Sequence, residues 1–455
     1  MNRYPLLIKN FVRSRGLITG LLLLFISGLV SLHTGKYFLD RNEEVITKTS
    51  HYQQENIDRY VKYHPDEMGL LLYYIRFGLV HTTPALSGLA IGQRDINPSL
   101  VSVTIRNLEE QKYATDLMNP MYQLLGNMDF SFVLFYFFPL IIIAFGYNLV
   151  SEEKEGGTWR LVLSQTPRPL QMLYVKMGVR YISVLSVLLL LLVIAKFYLQ
   201  IPVDAAFAIY CLLAVLYISF WFCLVWLVVS FHRSSSRNAL ILLTAWVLLC
   251  MLLPAGLHAL VVQWYPAPEA YATVLESRDG YHRQWDRPKE PTIDKFQQRY
   301  PQFSSFRHPD GEDFSWLWYY AMQQMGDEQA ATAAKLLKEK LRQRAAFSRV
   351  AGWFVPTIHT QLTMNALSRS DLLSQVDFLE ALEKFHEDKR LYFYPKIFTE
   401  AAVSDENWND FTLEYHAQEN RTGWLEALLP LLLAGIICMG WAKWNWESMP
   451  LARKL

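Results

Sequence analysis

Residues Ala205–Phe231 read AAFAIYCLLAVLYISFWFCLVWLVVSF, twenty-seven residues without one charged side chain. A helix at the surface of a soluble protein keeps one face wet, so its apolar residues recur at helical spacing. Here they run all round the helix, over more than the roughly 20 residues that cross about 30 Å of hydrocarbon. The stretch is a membrane-spanning helix. Working outward, the same reading applies to residues 17–33, 130–150, 181–199, 239–262 and 424–441. Composition agrees, since 52% of the chain is hydrophobic against 19% charged, and the apolar residues are gathered in blocks. The fold class is therefore an all-α membrane protein with six spans. Pro139, Pro254 and Pro430 fall inside spans, where neighbouring helices must re-satisfy the carbonyls a proline frees.

Orientation follows from the short basic segments. Arg3, Lys9, Arg13 and Arg15 precede the first span, and Lys154, Arg160, Arg168 and Lys176 follow the second. Arg233 and Arg237 follow the fourth, and Lys443, Arg453 and Lys454 lie in the tail 442–455, whereas the turn 200–204 has no basic residue. All these segments share one side if the termini are cytoplasmic. In residues 1–16, Leu7, Ile8, Phe11 and Val12 line one face opposite Lys9 and Arg13, as in a helix lying on the inner leaflet. A signal peptide is the rival reading of residues 1–33, but SLHTGKYF offers no small-x-small cleavage site, which favours an uncleaved span.

Two long polar regions, 34–129 and 264–423, then lie outside and read as mainly helical. Helix formers fill Asp313–Val350, Leu372, Val376, Leu379, Leu382 and Phe385 mark one face of a following helix, and Leu100–Ile105 reads as a short strand. Cys211, Cys223, Cys250 and Cys438 all sit in apolar blocks, so no disulfide framework serves the polar regions. A net charge of +1 gives no polyelectrolyte attraction to nucleic acid. Phe385-His386-Glu387-Asp388-Lys389-Arg390 opens like a zinc-protease helix, but Arg390 stands where the second histidine is needed. No phosphate-binding loop or nucleophile elbow appears, and neither a catalytic residue, a metal site nor a bound cofactor is expected in this chain.

Between the second and third spans, residues 151–180 begin Ser151-Glu-Glu-Lys-Glu-Gly-Gly-Thr-Trp-Arg-Leu-Val-Leu-Ser-Gln-Thr-Pro-Arg168. Acids come first, then a Gly-Thr break, an apolar run, and Pro167 as a stop. By itself this is either a short amphipathic helix on the membrane face or a solvated loop anchored by a few apolar residues.

This run resembles the loop of type-2 ABC exporter permeases, in which an E-x-E-x-G-T segment, apolar residues, a Pro-Arg and a Lys opening the third span follow span two. Glu153, Glu155, Gly157, Thr158, Leu161, Leu163, Pro167, Arg168 and Lys176 occupy those positions. Gly156 is an insertion beside Gly157, and Trp159 stands where an aliphatic residue is usual. Phe231-His-Arg-Ser-Ser-Ser-Arg-Asn238, the six-span layout and the N-terminal helix extend the resemblance. Ser87-Gly-Leu-Ala-Ile-Gly-Gln-Arg-Asp-Ile-Asn-Pro98 and Asn119-Pro120 to Phe132 resemble a bacterial family of unassigned substrate with two enlarged outer loops. That family is distantly similar to the permease of nitrous-oxide reductase maturation.

The resemblance implies a permease subunit in the bacterial inner membrane, exporting a substrate with ATP hydrolysed by a separate ABC ATPase that holds ATP and magnesium. It implies a second permease copy or a sibling permease as partner, surrounding membrane lipid, and no enzymatic activity in the chain itself. The loop would carry the coupling helix, with Trp159, Leu161 and Leu163 as an apolar ridge for the ATPase. Glu153 and Glu155 would meet basic residues of the ATPase or of the N-terminal helix. The alternative it leaves open is force transmission to an outer protein partner without a substrate crossing the membrane.

Overall fold

The computed structural model describes residues 14–112, 127–159, 169–420 and 422–448. Among these residues six helices are long and apolar enough to cross a membrane: Arg15–Tyr63, Phe130–Glu155, Leu170–Tyr198, Ala205–Val229, Ser235–Trp264 and Trp424–Glu447. They contain the six apolar blocks of the sequence almost entirely, and the protein is an all-α, multi-pass membrane protein. The third helix starts at Leu170, so the second part of the 151–180 stretch is helix continuous with the third span. Most of the 1–16 segment and half of the tail, with Leu161, Leu163, Pro167 and Arg168, lie outside the described residues.

The first helix has 49 residues, a length of about 74 Å at 1.5 Å per residue, so it crosses a bilayer and continues unbroken beyond it. Ser14 caps it by accepting a hydrogen bond from the Leu17 amide at 3.3 Å. Gly20, Ser27, Gly28, Ser31 and Gly35 form a buried stripe along it. Without lipid-excluding water to drive association, membrane helices gain by close backbone approach, and small residues permit it. At Gly35 the approach is closest, for a Cβ there would lie 1.9 Å from the carbonyl oxygen of Gly88.

The prolines inside the second and fifth spans each follow a wide turn, at Val133–Phe137 and Leu248–Leu252. Pro139 leaves the carbonyl four residues earlier without its helical donor. That carbonyl, on Phe135, accepts from Tyr217 Oη at 3.3 Å and lies 3.6 Å from Cys250 Sγ. Trp246 Nε1 donates to the neighbouring Tyr136 carbonyl at 3.3 Å. In the sixth span, His359 Nε2 donates to the Ala427 carbonyl at 2.8 Å, one turn ahead of Pro430. The carbonyl freed by Pro139 is therefore satisfied from neighbouring helices.

The two polar regions expected as separate units fold as one head domain. Its strands β1 (Phe77–His81), β2 (Leu100–Val103) and β3 (Glu414–His416) form a sheet in the order β2-β1-β3, antiparallel between β1 and β2 and parallel between β1 and β3. Its helices α1 (Glu269–His282), α2 (Glu290–Arg299), α3 (Trp316–Gly352) and α5 (Leu372–Phe398) come from the second region, with α4 (Pro356–Leu367) between the last two. One apolar core holds Ile57, Leu71 and Phe77 of the first region with Phe296, Tyr320, Phe378 and Phe393 of the second. Gln53 on the long first helix accepts from the Gly78 amide at 2.8 Å and donates to the Phe411 carbonyl at 2.9 Å, bridging both. Arg390, where a zinc-protease helix would have histidine, is a buried staple. It donates to the Ile105 carbonyl at 3.1 Å and pairs with Asp327 at 2.8 Å.

Helix α4 departs from the expected boundary. It packs against the fourth and sixth spans, and Met364 and Leu367 belong to the membrane core. Thr357 in its first turn lies 3.3 Å from Tyr217 Oη, about 18 Å along the fourth span from Ala205. The α3–α4 hairpin therefore enters the apolar layer and returns, with Phe354 exposed at its tip. The segment Ser87–Pro98 ties this return to the head. Ser87 Oγ donates to the Ser368 carbonyl at 2.6 Å and Arg94 donates to the carbonyls of Arg369, His81 and Thr82. Burial holds Arg94 down to about 10, so it stays charged at neutral pH.

The Gly35–Gly88 approach makes a prediction. Gly35→Leu forces backbone apart and costs about 1–3 kcal/mol, as overpacking does, lowering the melting temperature of the detergent-solubilised protein. Gly16→Leu, where a Cβ meets nothing within 4 Å, should leave it unchanged.

Candidate functional site

At the end of the bundle opposite the head, the second span runs into the short helix Ser151–Glu155. Gly156 closes it, its amide donating to the Glu152 carbonyl at 2.9 Å, and Gly157 follows with φ +74°. That left-handed conformation is open to glycine at little cost and to few other residues. It turns the chain so that Thr158 Oγ1 reaches back to the Glu153 carboxylate and to the Glu153 carbonyl, the latter at 3.2 Å. The Gly-Thr pair of the sequence motif is thus a helix stop followed by a hydroxyl brace.

Three consecutive residues then leave in three directions. Glu153 accepts from Lys176 Nζ at 2.7 Å, with both side chains largely buried, and so fastens the loop to the third span. Glu155 accepts from the amide and the hydroxyl of Ser235 at 2.7 and 2.8 Å. Ser235 opens the fifth span, whose free amides and positive helix end favour a carboxylate. Ser151 Oγ lies 2.8 Å from Ser235 Oγ and donates to it, the single Ser235 hydroxyl proton being held by Glu155. Lys154 lies between them, 3.4 Å from His232 Nδ1 and 5.8 Å from the ring centroid of Trp159.

His232, held at φ +53°, brings in the sixth span, because its ring meets the Trp446 ring edge-on at 4.3 Å. Burial, helped by the charge of Lys154, pushes His232 down to about 4, so the imidazole is neutral at pH 7 and accepts from Lys154. Asn238 completes the cluster by donating to the Tyr147 carbonyl at 3.1 Å. None of this is reactive chemistry. The arrangement is a clamp of charge-assisted hydrogen bonds in which one loop holds the ends of the third, fifth and sixth spans.

Glu153 and Glu155 meet Lys176 and Ser235 of their own chain, while Arg3, Lys9 and Arg13 of the N-terminal segment lie outside the described residues. Trp159 is only 8% exposed and belongs to the membrane core of this chain. It anchors the loop and has no free face for a partner groove. Leu161 and Leu163, the rest of the expected ridge, and Pro167 and Arg168 lie outside the described residues. Ser235, His232 and Lys154 were missed as site residues. The signal was the serine run 234–236 directly before an apolar block, a helix-start pattern that invites a carboxylate.

Residues 8–270 match the family profile described as ABC-2 family transporter protein, and residues 269–418 match one described as Domain of unknown function (DUF3526). No curated protein and no solved structure matches the chain. The first match spans more than half of the sequence, including the loop from Ser151 to Trp159 and the first five spans, and the chain belongs to the ABC-2 family of transporter proteins.

Proposed function

We propose that this chain is the permease subunit of an ABC exporter in the bacterial inner membrane, with the head domain outside and the loop end in the cytoplasm. A separate ATPase subunit docks at the loop end and holds ATP and magnesium, and a second permease copy or sibling supplies the other half of the pathway. The observation that carries this reading is the clamp. Glu153, Lys154 and Glu155 link one loop to three spans, so a push on the loop moves several helices together. Rigid contacts of this kind are what a protein needs to turn nucleotide-driven motion below into rearrangement above. The apolar run after Trp159 supplies the docking ridge through Leu161 and Leu163, with Trp159 as its root.

Burying one such leucine in a partner groove is worth about 1.5–3 kcal/mol by transfer scales, before the costs of association. Leu161→Glu/Leu163→Glu should therefore reduce co-purification of the ATPase with the tagged permease by tenfold or more, while insertion and melting temperature stay as in wild type. Undiminished co-purification would remove the loop from the docking role. Glu153→Gln/Glu155→Gln should instead keep the ATPase bound and uncouple its hydrolysis from transport.

The orientation rests on the basic short loops. Cysteines placed at Tyr63 and Tyr271, both well exposed on the head, should react with a membrane-impermeant maleimide in intact cells. A cysteine at Arg160 should react only after lysis, and its labelling in intact cells would reverse the assignment.

A further inference from the structure

A cavity of about 710 Å³ lies where the head meets the membrane bundle, walled by the fifth span, the α3–α4 hairpin, the start of α5 and the segment entering the sixth span. The exposed Trp264 and Trp424, which end the fifth and begin the sixth spans, mark this level as the boundary between lipid and water. One wall is apolar, built from Val261, Val262 and Leu362. The other is charged, and most of its charges are already committed. Arg342 pairs with Glu380 at 2.7 Å and Arg349 with Glu426 at 3.4 Å. Asp371 accepts from Ser374 at the start of α5, and Asp377 from Gln418 at 2.6 Å.

Arg344 and Arg369 remain. Arg344 gives its Nε to the Tyr265 carbonyl at 2.8 Å, yet among the described residues neither guanidinium meets a carboxylate. Arg369 is held in place because Arg94 grips its carbonyl at 2.9 Å. Glu419 on the same lining meets no lysine or arginine among the described residues. Two guanidiniums and one carboxylate without a charged partner among the described residues, beside an apolar wall at a membrane boundary, match the groups of an amphiphile.

We propose that this cleft seats a phospholipid with a phosphoethanolamine headgroup, drawn from the leaflet on the head side. The phosphate lies between Arg344 and Arg369, where planar guanidiniums bind phosphate oxygens in pairs. The ammonium faces Glu419, and an acyl chain lies along Val261 and Val262. As a cargo class this rests on the transport role proposed above, but the binding itself needs neither ATPase nor ATP.

The test measures lipid retained by the purified full-length chain, without ATPase or nucleotide, by native mass spectrometry after incubation with defined lipids in detergent. Wild type should retain phosphatidylethanolamine at least tenfold over diacylglycerol. Arg344→Gln/Arg369→Gln should lose that preference, and Arg344→Lys/Arg369→Lys should keep part of it, since the charges stay while the paired hydrogen bonds are lost. Val262→Asn, which leaves both arginines in place, should weaken retention severalfold and so decides the matter if the double glutamine variant fails to fold. Equal retention of diacylglycerol, or undiminished retention by the folded double glutamine variant, overturns the proposal. Equal retention of phosphatidylglycerol overturns the role given to Glu419, and competition by glycerophosphoethanolamine as strong as that of the intact lipid overturns the lipid assignment. A permease that binds the lipid but no ATPase would refute the transport role and leave this site standing.

Discussion

The carbonyl of Phe135 has to find a donor in a layer where water supplies none. An unpaired backbone group in hydrocarbon costs several kcal/mol, and Pro139 removes the partner this one would have had. Tyr217 of the fourth span and Cys250 of the fifth supply the contacts, and Thr357 joins them from the head-domain hairpin. One vacancy in a helix ladder thus gathers three spans and the only described segment of the head that reaches this depth. The position of α4, and with it the floor of the cleft, follows from where that carbonyl lies.

Much of this architecture was legible in the sequence. Six apolar blocks became six helices because lipid on all sides leaves no period to disguise them, and the strand at Leu100–Val103 and the helices around Trp316 and Leu372 lie where their patterns place them. What escaped was long-range. Nothing local in Glu414–His416 announces that it pairs with Val80, and nothing in PTIHTQLTMNAL separates a helix dipping into the membrane from a helix above it. Its polar side chains, Thr357 and His359, read as signs of water, whereas their partners are carbonyls and hydroxyls of the spans. At the loop end the motif was visible but its partners were not. Glu153 and Glu155 looked like charges awaiting another protein because Lys176 and Ser235 are distant in sequence and adjacent only once the spans are packed.

The fifth span connects the two ends. Ser235 at its start lies under Glu155, Val261 and Val262 near its finish line the cleft, and the wide turn at Leu248–Leu252 sits between. It is also the least buried of the six described spans, held by few contacts within its own chain. A helix gripped at one end and loosely packed along its length is well suited to move as a lever, with displacement at the clamp appearing at the lipid boundary. Wide turns of this kind occur frequently at functional positions in helices.

The parallel pairing of β1 with β3 also governs how the protein is made. The chain emerges from its N-terminus, so β1 and β2 are complete long before Glu414–His416 exists. Until then β1 presents an unpaired edge, a template on which other chains can aggregate. Closure waits while the second to fifth spans and the whole second polar region are synthesised. Bringing together strands so far apart in the sequence is slow, because the loop entropy is lost before the contacts repay it. A nascent chain of this protein therefore spends an extended interval with half a head domain exposed. How long that edge stays open is set by strand order.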